Sequence, residues 1–381
     1  MKILVIDDDY PSPTNLFANV FVHVRAKAYQ RRFPNLLVAS SFSQQRPDYV
    51  YEGVNVRCVG SIEALAKLHA KYAPDVTLVH FATFPIIRSV ILKSKGHFVI
   101  WAHGFEAQGW FRRLYDYRTA WSFARYIKGN MVQLYFYRQL IQRSNRDARI
   151  HFVFVSEWIK RVTRNDCITT ISNSSVIPNP IDDHLFSYLE KSAKDRLNFL
   201  LIRPFGPRKY ATDLVTEAMK ILASKPFFDE LNFTVVGGGA SQSDLAHLFR
   251  SHNNVVISEG FLTQAQIKEL HDRNGVFLAL TRQDTHGVSM CEAMASGLVP
   301  ISSNNSAIPE YVTDGVSGLL TDNEPISIAA AIERLYREPE TFLTLSQNAA
   351  SEVRAKAGID SVIAGELALI EQMAERGGVS E

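Results

Sequence analysis

Closely spaced cysteine pairs and long apolar runs are the features that this 381-residue sequence lacks. Its three cysteines, Cys58, Cys167 and Cys291, form no C-x-x-C pair, which excludes a disulfide framework and a zinc-ribbon type of site. No segment approaches the roughly 18 consecutive apolar residues of a membrane-spanning helix. The N-terminal run MKILVI reaches Asp7 too early for a secretory signal, so we expect a cytoplasmic protein.

Charge is nearly balanced over the whole chain but not along it. The net charge is +2, yet residues 1–180 carry 24 Lys and Arg against 12 Asp and Glu, whereas residues 181–381 carry 17 against 27. No nucleic-acid-binding motif accompanies the basic half, so we do not expect a nucleic-acid partner. The asymmetry instead predicts that the first half meets an anionic partner, either a membrane surface or a phosphate-bearing acceptor.

Apolar strand patterns alternate with helical patterns in both halves, which predicts an α/β protein with two doubly wound, largely parallel sheets. The prolines in VIPNPIDDHLF (Val176–Phe186) interrupt the rhythm and indicate a domain junction. We therefore expect one domain over residues 1–180 and a second over 181–359. A C-terminal helix at about 360–381 is expected to pack back on the first domain.

The stretch from Phe277 to Leu320 reads as a strand, a polar loop, a short helix and a second strand. Asp284 and Glu292 lie eight positions apart, so both carboxylates can face the crevice beyond the strand ends of an open α/β sheet. Free backbone N–H groups at the start of the short helix would point into the same crevice and suit a phosphate. The residues that supply them are Gly287, Val288 and Ser289.

Five segments between Val176 and Leu320 follow one another in the order of a known family: PNPIDDHLF, LLIRPFGPRKYATDLVTEAMKIL, TVVGGG, SEGFLTQAQIKEL and DTHGVSMCEAMASGLVPI. In these motifs the chain resembles the retaining GT-B glycosyltransferases, the bacterial group 1 type of α-glycosyltransferase with an E-x7-E motif, here D-x7-E. The resemblance implies two Rossmann-like domains facing a central cleft. It also implies a nucleotide diphosphate sugar as donor and neither a metal nor a cofactor.

The resemblance assigns roles to charged residues of the second half. Arg203 and Lys209 would stabilise the charge that grows on the leaving diphosphate, with Arg208 taking the place of Lys209 if the loop is one residue shorter. Glu292 would accept hydrogen bonds from the nucleotide's ribose. Asp284 stands where a glutamate is usual, which shortens its reach to the donor sugar by one methylene group.

Four further residues receive roles in the same way. Gly239, in a turn whose spacing is not G-x-G-x-x-G, would lie beside the nucleotide. His103 resembles the first-domain histidine that approaches the donor sugar. Glu106 is a candidate for the acceptor side. Asp8 lies in a first loop that lacks the family's usual glycine pair, and it would meet acceptor hydroxyls.

The segment Trp110–Arg149 carries nine Lys and Arg, two Asp and ten aromatic residues. One interpretation is a membrane-surface element with aromatic side chains at the lipid headgroups and cations on anionic lipid. The other is an amphipathic helix pair whose aromatic residues fill the core.

The sequence therefore predicts a metal-independent hexosyltransferase acting on a lipid-linked or anionic glycan acceptor in surface polysaccharide or lipopolysaccharide synthesis. It would be cytoplasmic or peripheral on the cytoplasmic face of the membrane. Two alternatives stay open. One is a GT-B enzyme with a soluble acceptor, and the other is a non-catalytic sugar-nucleotide-binding subunit.

Overall fold

The computed structural model describes residues 1–15, 18–44, 46–116 and 119–378. Residues 117–118 of the basic aromatic segment and the last three residues of the range predicted for the C-terminal helix, 379–381, lie outside the described residues. The chain divides into two compact units, one made of Met1–Pro180 and the chain from Asp360 onward, the other of Ile181–Ile359. Each unit is built on one sheet with helices on its faces, which confirms the predicted α/β class with two Rossmann-like domains.

Eight strands form the sheet of the first unit: β1 (Lys2–Ile6), β2 (Asn35–Ser40), β3 (Tyr49–Tyr51), β4 (Val54–Cys58), β5 (Val76–His80), β6 (His97–Ala102), β7 (Ile150–Phe154) and β8 (Ser174–Val176). Their order is β3-β4-β2-β1-β5-β6-β7-β8, and all pairs are parallel except β3 with β4 at the edge. The central strands are buried on both faces, as near-continuous runs of Val, Ile, Leu and Phe require.

The helices of the first unit are α1 (Val20–Arg32), α2 (Ile62–Tyr72), α3 (Phe84–Ile86, continued by a π-helical turn over Ile87–Ile91), α4 (Ala120–Ser144), α5 (Glu157–Asp166) and the C-terminal helix (Ile359–Gly378). Serine side chains cap the N-termini of two of these helices, α2 and α5. The hydroxyl of Ser61 accepts the N–H of Ala64, and that of Ser156 accepts the N–H of Ile159.

A buried ion pair joins α1 to the C-terminal helix. The Nε of Arg25 donates to Oε1 of Glu366 over 2.9 Å, and both side chains are fully buried. Glu366 also accepts hydrogen bonds from the hydroxyl of Tyr29 (2.5 Å) and the indole N–H of Trp101 (3.3 Å). The remaining guanidinium nitrogens of Arg25 donate to Oδ1 of Asn179 and to the carbonyl of Pro178, so the cluster also ties the segment Pro178–Asn179 to α1 and the C-terminal helix.

The segment Trp110–Arg149 is not the helix pair that one interpretation predicted. Its first described part is a 3-10 segment over Trp110–Asp116, and its second is the single 25-residue helix α4. The C-terminal half of α4 is anchored by buried Tyr137 and Leu140, whereas its N-terminal half exposes Trp121 by 79%. Core packing therefore accounts for only part of the aromatic content of the segment.

Six parallel strands form the sheet of the second unit: β9 (Asn198–Ile202), β10 (Asn232–Gly237), β11 (Val255–Glu259), β12 (Val276–Ala279), β13 (Val299–Ser303) and β14 (Leu319–Thr321). Their order is β11-β10-β9-β12-β13-β14. The chain first winds outward from β9 in one direction and then from β12 in the other. The topological switch point of this sheet therefore lies between β9 and β12.

The helices of the second unit are α6 (Thr212–Ala223), α7 (Ala240–Phe249), α8 (Gln264–Arg273), α9 (Val288–Ala295), α10 (Pro325–Arg337) and α11 (Pro339–Ala357). Its core is rich in Phe, including Phe199, Phe205 and Phe233, and it packs α6 and α10 against one face of the sheet. No helix over the described residues is long and apolar enough to cross a bilayer.

Candidate functional site

The predicted second-unit residues meet at the switch point of their sheet. Arg203 directly follows β9, and Asp284 lies in the loop that follows β12. Ligands of open α/β sheets bind beyond the carboxyl ends of the strands at such a point, because adjacent loops there diverge to opposite faces. The sheet topology thus explains why residues about 80 positions apart in the sequence form one site.

Arg203 is a buried cation for which the described part of the chain provides no carboxylate partner. Its side chain is held by Ser289, whose Oγ accepts a hydrogen bond from Nη1 over 3.0 Å. Its guanidinium carbon lies 5.2 Å from the centroid of the Tyr210 ring. Nε is buried and has no hydrogen-bond partner among the residues that the structure describes, nor does any of their carboxylates lie within salt-bridge distance. Such an arginine retains donors for an anionic ligand.

Lys209 joins Arg203 on the same aromatic ring. Its Nζ lies 4.7 Å from the Tyr210 centroid, whereas the side chain of Arg208 is exposed. Of the two candidates for the diphosphate-binding cation, the structure therefore brings Lys209 beside Arg203. The role itself stays a prediction.

Arg282 fixes the backbone that carries Lys209. Its own N–H donates to the carbonyl of Lys209 (2.7 Å), and its Nη1 donates to the carbonyl of Arg208 (2.6 Å). Both terminal nitrogens also bind the carboxylate of Asp213. The loop after β9 is thus fastened to the loop after β12. Sequence reasoning missed Arg282 because an isolated arginine outside a motif carries no signal.

Glu292 lies on α9 in a setting that favours its neutral form. Burial raises the pKa of this carboxyl to about 7, while a hydrogen bond from Gln264 and the charge of Arg203 oppose the shift. Part of the side chain stays accessible. A carboxylate at this position can accept hydrogen bonds from ligand hydroxyls, and the contact with ribose stays a prediction.

This raised pKa gives binding a pH dependence. Hydroxyl donors favour the ionised carboxyl, so below about pH 7 Glu292 must release a proton when a nucleotide binds. As the pH rises, we expect Kd for a nucleoside diphosphate to fall by at most about ten-fold per pH unit until about pH 7 and to stay constant above it. Titration calorimetry at several pH values measures this. In Glu292→Gln the part of the pH dependence of Kd that comes from Glu292 must disappear, while the part that comes from titration of the ligand's own phosphate persists. A pH dependence of Kd equal to that of wild type would refute the assignment.

The turn before α9 corrects one prediction. Oδ1 of Asp284 accepts the N–H of Gly287 over 2.9 Å and that of His286 over 3.1 Å. The N–H of Gly287 is therefore not free for a phosphate, because a short acidic side chain caps its own turn. Gly287 adopts φ +79°, which an L residue disfavours. Val288 and Ser289 begin α9, where helical geometry provides no acceptor for their N–H groups.

The triple glycine after β10 supports the loop of Arg203. A Cβ on Gly237 would lie 2.0 Å from the carbonyl oxygen of Arg203, and one on Gly239 would lie 2.7 Å from the N of Gly206. The carbonyl of Gly238 also accepts the N–H of Phe205 over 2.8 Å. Close backbone approach explains these glycines. Contact between Gly239 and a nucleotide stays a prediction.

His103 lies in the first unit, at the end of β6, and pairs with another histidine. Its Nε2 lies 2.9 Å from Nδ1 of His80, so one ring donates to the other. His80 stacks on Trp101, and burial lowers its pKa well below the usual range. The imidazole of His80 is therefore neutral at pH 7. The sequence offered one signal for His80, namely its place at the end of β5 beside the end of β6.

Glu106 shapes the loop of His103 and is not presented to an acceptor. Its two oxygens accept the backbone N–H groups of His103 (2.5 Å) and Gly104 (3.0 Å), and the side chain is fully buried. Burial raises the pKa of this carboxyl to about 7. The acceptor-side prediction fails because a glutamate four residues after the end of β6 can reach back to the amides of the first two residues that follow the strand.

Asp8 and its neighbour Asp7 differ in burial and in their hydrogen-bond partners. Asp8 is exposed, and its Oδ1 accepts the N–H of Phe42 over 2.7 Å. Asp7 is fully buried, accepts a hydrogen bond from Asn19 over 2.8 Å, and has its pKa raised to about 8 by burial. An acceptor contact by Asp8 stays a prediction, and Asp7 belongs to the core beneath it.

Solved structures share the fold along nearly the whole chain. A sucrose-phosphate synthase from Thermosynechococcus elongatus is 14% identical with a TM-score of 0.77, and 98% of each chain is covered. Anabaena Alr3699/HepE, solved in complex with UDP and glucose, is 15% identical with a TM-score of 0.67, covering 98% of this chain and 100% of that one. At these identities the likeness establishes the GT-B fold.

Sequence relatives match over shorter segments. An alpha-monoglucosyldiacylglycerol synthase from Acholeplasma laidlawii is 26% identical over 171 residues, which are 42% of each chain. The matches span only 33–42% of the length of three such curated relatives. The family model for glycosyl transferases group 1 matches residues 190–352, so most of the second unit carries the sequence pattern of that family.

Proposed function

We propose that this protein is a retaining glycosyltransferase that moves a sugar from a nucleoside diphosphate donor to a lipid-linked or anionic glycan acceptor. The reaction would serve surface polysaccharide or lipopolysaccharide synthesis. The observation that carries the proposal is the juxtaposition of Arg203 and Lys209, two cations on one ring with no carboxylate in salt-bridge range among the described residues, near Glu292 at the switch point. HepE, solved with UDP and glucose, supports a nucleotide-sugar donor.

Each side chain then has one task in the proposed reaction. The acceptor hydroxyl attacks the face of the sugar from which the diphosphate leaves, and a phosphate oxygen takes its proton. Arg203 and Lys209 neutralise the charge that develops on the leaving group, and the amides of Val288 and Ser289 add donors. Glu292 holds the ribose. Asp284 retains one oxygen outside its turn for a sugar hydroxyl, and His103 is a second proposed sugar contact.

A panel of nucleotide sugars tests donor binding. We expect the melting temperature to rise much more with one class of nucleoside diphosphate and its sugars than with the corresponding nucleoside, because the phosphates supply most of the interaction with Arg203 and Lys209. Comparing the diphosphate with its sugar-bearing form separates recognition of the base from recognition of the sugar. Absence of any shift across uridine, guanosine, adenosine and thymidine diphosphates would contradict the proposal.

The exposed face of α4 supports a membrane-bound acceptor. Trp121, Arg125, Lys128, Val132 and Tyr135 follow one another at spacings of four and three, so they share one side of the helix. Four further apolar side chains of the first unit are exposed, the last of them on α4 itself: Phe105, Phe111, Leu114 and Met131. Interleaved aromatic and cationic side chains suit the headgroup region of an anionic bilayer. The name of the diacylglycerol-modifying relative agrees with a lipid acceptor.

Vesicle binding tests this surface. We expect co-sedimentation with vesicles of phosphatidylcholine containing 30% phosphatidylglycerol and little with phosphatidylcholine alone, since each cation contributes about 1 kcal/mol at an anionic surface. The double variant Arg125→Glu, Lys128→Glu should lose binding by more than ten-fold. The matched control is Lys67→Glu, Lys71→Glu, which reverses two exposed charges one turn apart on α2. Equal losses in both variants would show that only net charge matters and would remove α4 from the account.

A further inference from the structure

The ring of Tyr210 is the shared neighbour of the two cations at the switch point. Its centroid lies 5.2 Å from the guanidinium carbon of Arg203 and 4.7 Å from Nζ of Lys209. Both distances are within the range in which an aromatic ring attracts a cation. We propose that Tyr210 is a positioning residue that holds Arg203 and Lys209 together before the donor diphosphate binds; this inference rests on the proposed function.

A neutral aromatic ring can hold two cations together without competing with the ligand for them, which a carboxylate cannot do. Two cations that must act on one diphosphate repel each other while the site is empty. A carboxylate between them would hold them but would also compete with the ligand for their charge and would repel its phosphates. The quadrupole of an aromatic ring attracts both cations without carrying a net charge, so Arg203 and Lys209 keep their full attraction for the ligand.

The backbone turn that carries the Tyr210 ring is held by hydrogen bonds. The carbonyl of Lys209 accepts hydrogen bonds from the N–H of Arg282 (2.7 Å) and the hydroxyl of Thr281 (2.9 Å). The N–H of Tyr210 donates to the carbonyl of Pro207 (3.3 Å), and Ala211 follows in the left-handed region at φ +51°. The turn that presents the ring is therefore defined before any ligand arrives. Because the turn is already ordered, little conformational entropy is lost in positioning the ring and its two cations when a ligand binds.

Inorganic pyrophosphate is the probe that reports on the cations alone. We expect calorimetric Kd for pyrophosphate to rise about ten-fold in Tyr210→Leu and to stay within about two-fold of wild type in Tyr210→Phe, which keeps the ring face. The control is Tyr188→Leu, because the ring centroid of Tyr188 lies 5.9 Å from the guanidinium carbon of Arg354 in the same unit, beside Gly297 after the end of α9. Binding of the nucleoside that matches the preferred donor should be unchanged in Tyr210→Leu.

The outcomes separate failure of the proposed function from failure of the role proposed for Tyr210. If folded wild type binds neither pyrophosphate nor any nucleoside diphosphate, the proposed function fails and the inference with it. If wild type binds and Tyr210→Leu binds equally well, only the inference fails. Equal weakening of nucleoside and pyrophosphate binding would make Tyr210 a general structural residue and would also overturn it. Should Tyr210→Leu unfold, tetrafluorophenylalanine at position 210 retains the shape, weakens the ring's attraction for cations and must raise Kd relative to phenylalanine.

Discussion

Replacement of Lys209 by alanine should reduce kcat for sugar transfer by about 10²–10³-fold without lowering the stability of the fold. Lys209 has no salt bridge among the described residues, and its recorded neighbour is the ring of Tyr210, so removing its side chain leaves no buried group unpaired. The loss would arise because the charge on the leaving diphosphate grows in the transition state, where a fixed cation acts most strongly. Initial rates of nucleoside diphosphate release at saturating donor measure it, with the melting temperature recorded in parallel.

A nearby lysine provides the control for that experiment. Lys220 is exposed on α6, and its Nζ pairs with Glu217 over 2.7 Å. Lys220→Ala should leave kcat unchanged, because a surface ion pair of this kind contributes little. If Lys209→Ala were to transfer sugar at a rate near that of wild type, the assignment of the loop after β9 to the leaving group would be wrong.

Replacement of Glu366 by alanine should destabilise the first unit by about 3–5 kcal/mol, because Arg25 would remain buried without its partner. The variant also removes the acceptor for Tyr29 and Trp101. Urea unfolding followed by tryptophan fluorescence suits the measurement, since Trp101 contacts the cluster. Hydrogen exchange should show early opening of the C-terminal helix.

The same two helices contain an exposed counterpart. Arg32 and Glu371 form a salt bridge of 2.8 Å at the surface, with the arginine side chain 65% exposed. Glu371→Ala should cost no more than about 1 kcal/mol. Similar losses from Glu366→Ala and Glu371→Ala would contradict the idea that burial of Arg25 fastens the C-terminal helix to the first unit.

Periodicity in the sequence was sufficient to predict the strands that place the site. The stretch from Phe277 to Leu320 was predicted to contain a strand, a polar loop, a short helix and a second strand, and β12, the loop of Asp284, α9 and β13 follow in that order, because apolar runs end where polar loops begin. The edge strand β3 was not predicted. Its three residues, Tyr49–Tyr51, depend on pairing with β4, and such short segments have no periodicity of their own.

Side-chain and backbone partners were harder to predict than elements. Motif position identified Arg203 and Glu292, but it could not show that Asp284 takes the N–H of Gly287 or that Glu106 turns back to His103, since local hydrogen bonds follow from loop geometry. The cluster of Arg25 and Glu366 joins residues 341 positions apart. No local pattern reports such a distance. The same holds for Tyr210, because its proposed role depends on the loops after β9 and β12 lying side by side.

The most direct test of the central claim is nucleoside diphosphate release from the donor that the thermal panel selects, with and without vesicles carrying a diacylglycerol or polyprenyl phosphate acceptor. The account predicts release that accelerates when acceptor is added, accompanied by stoichiometric sugar on the lipid and abolished to background in the double variant Arg203→Ala, Lys209→Ala. Tight donor binding with neither release nor transfer, over a range of lipid and soluble acceptors, would contradict it and identify a non-catalytic sugar-nucleotide-binding subunit.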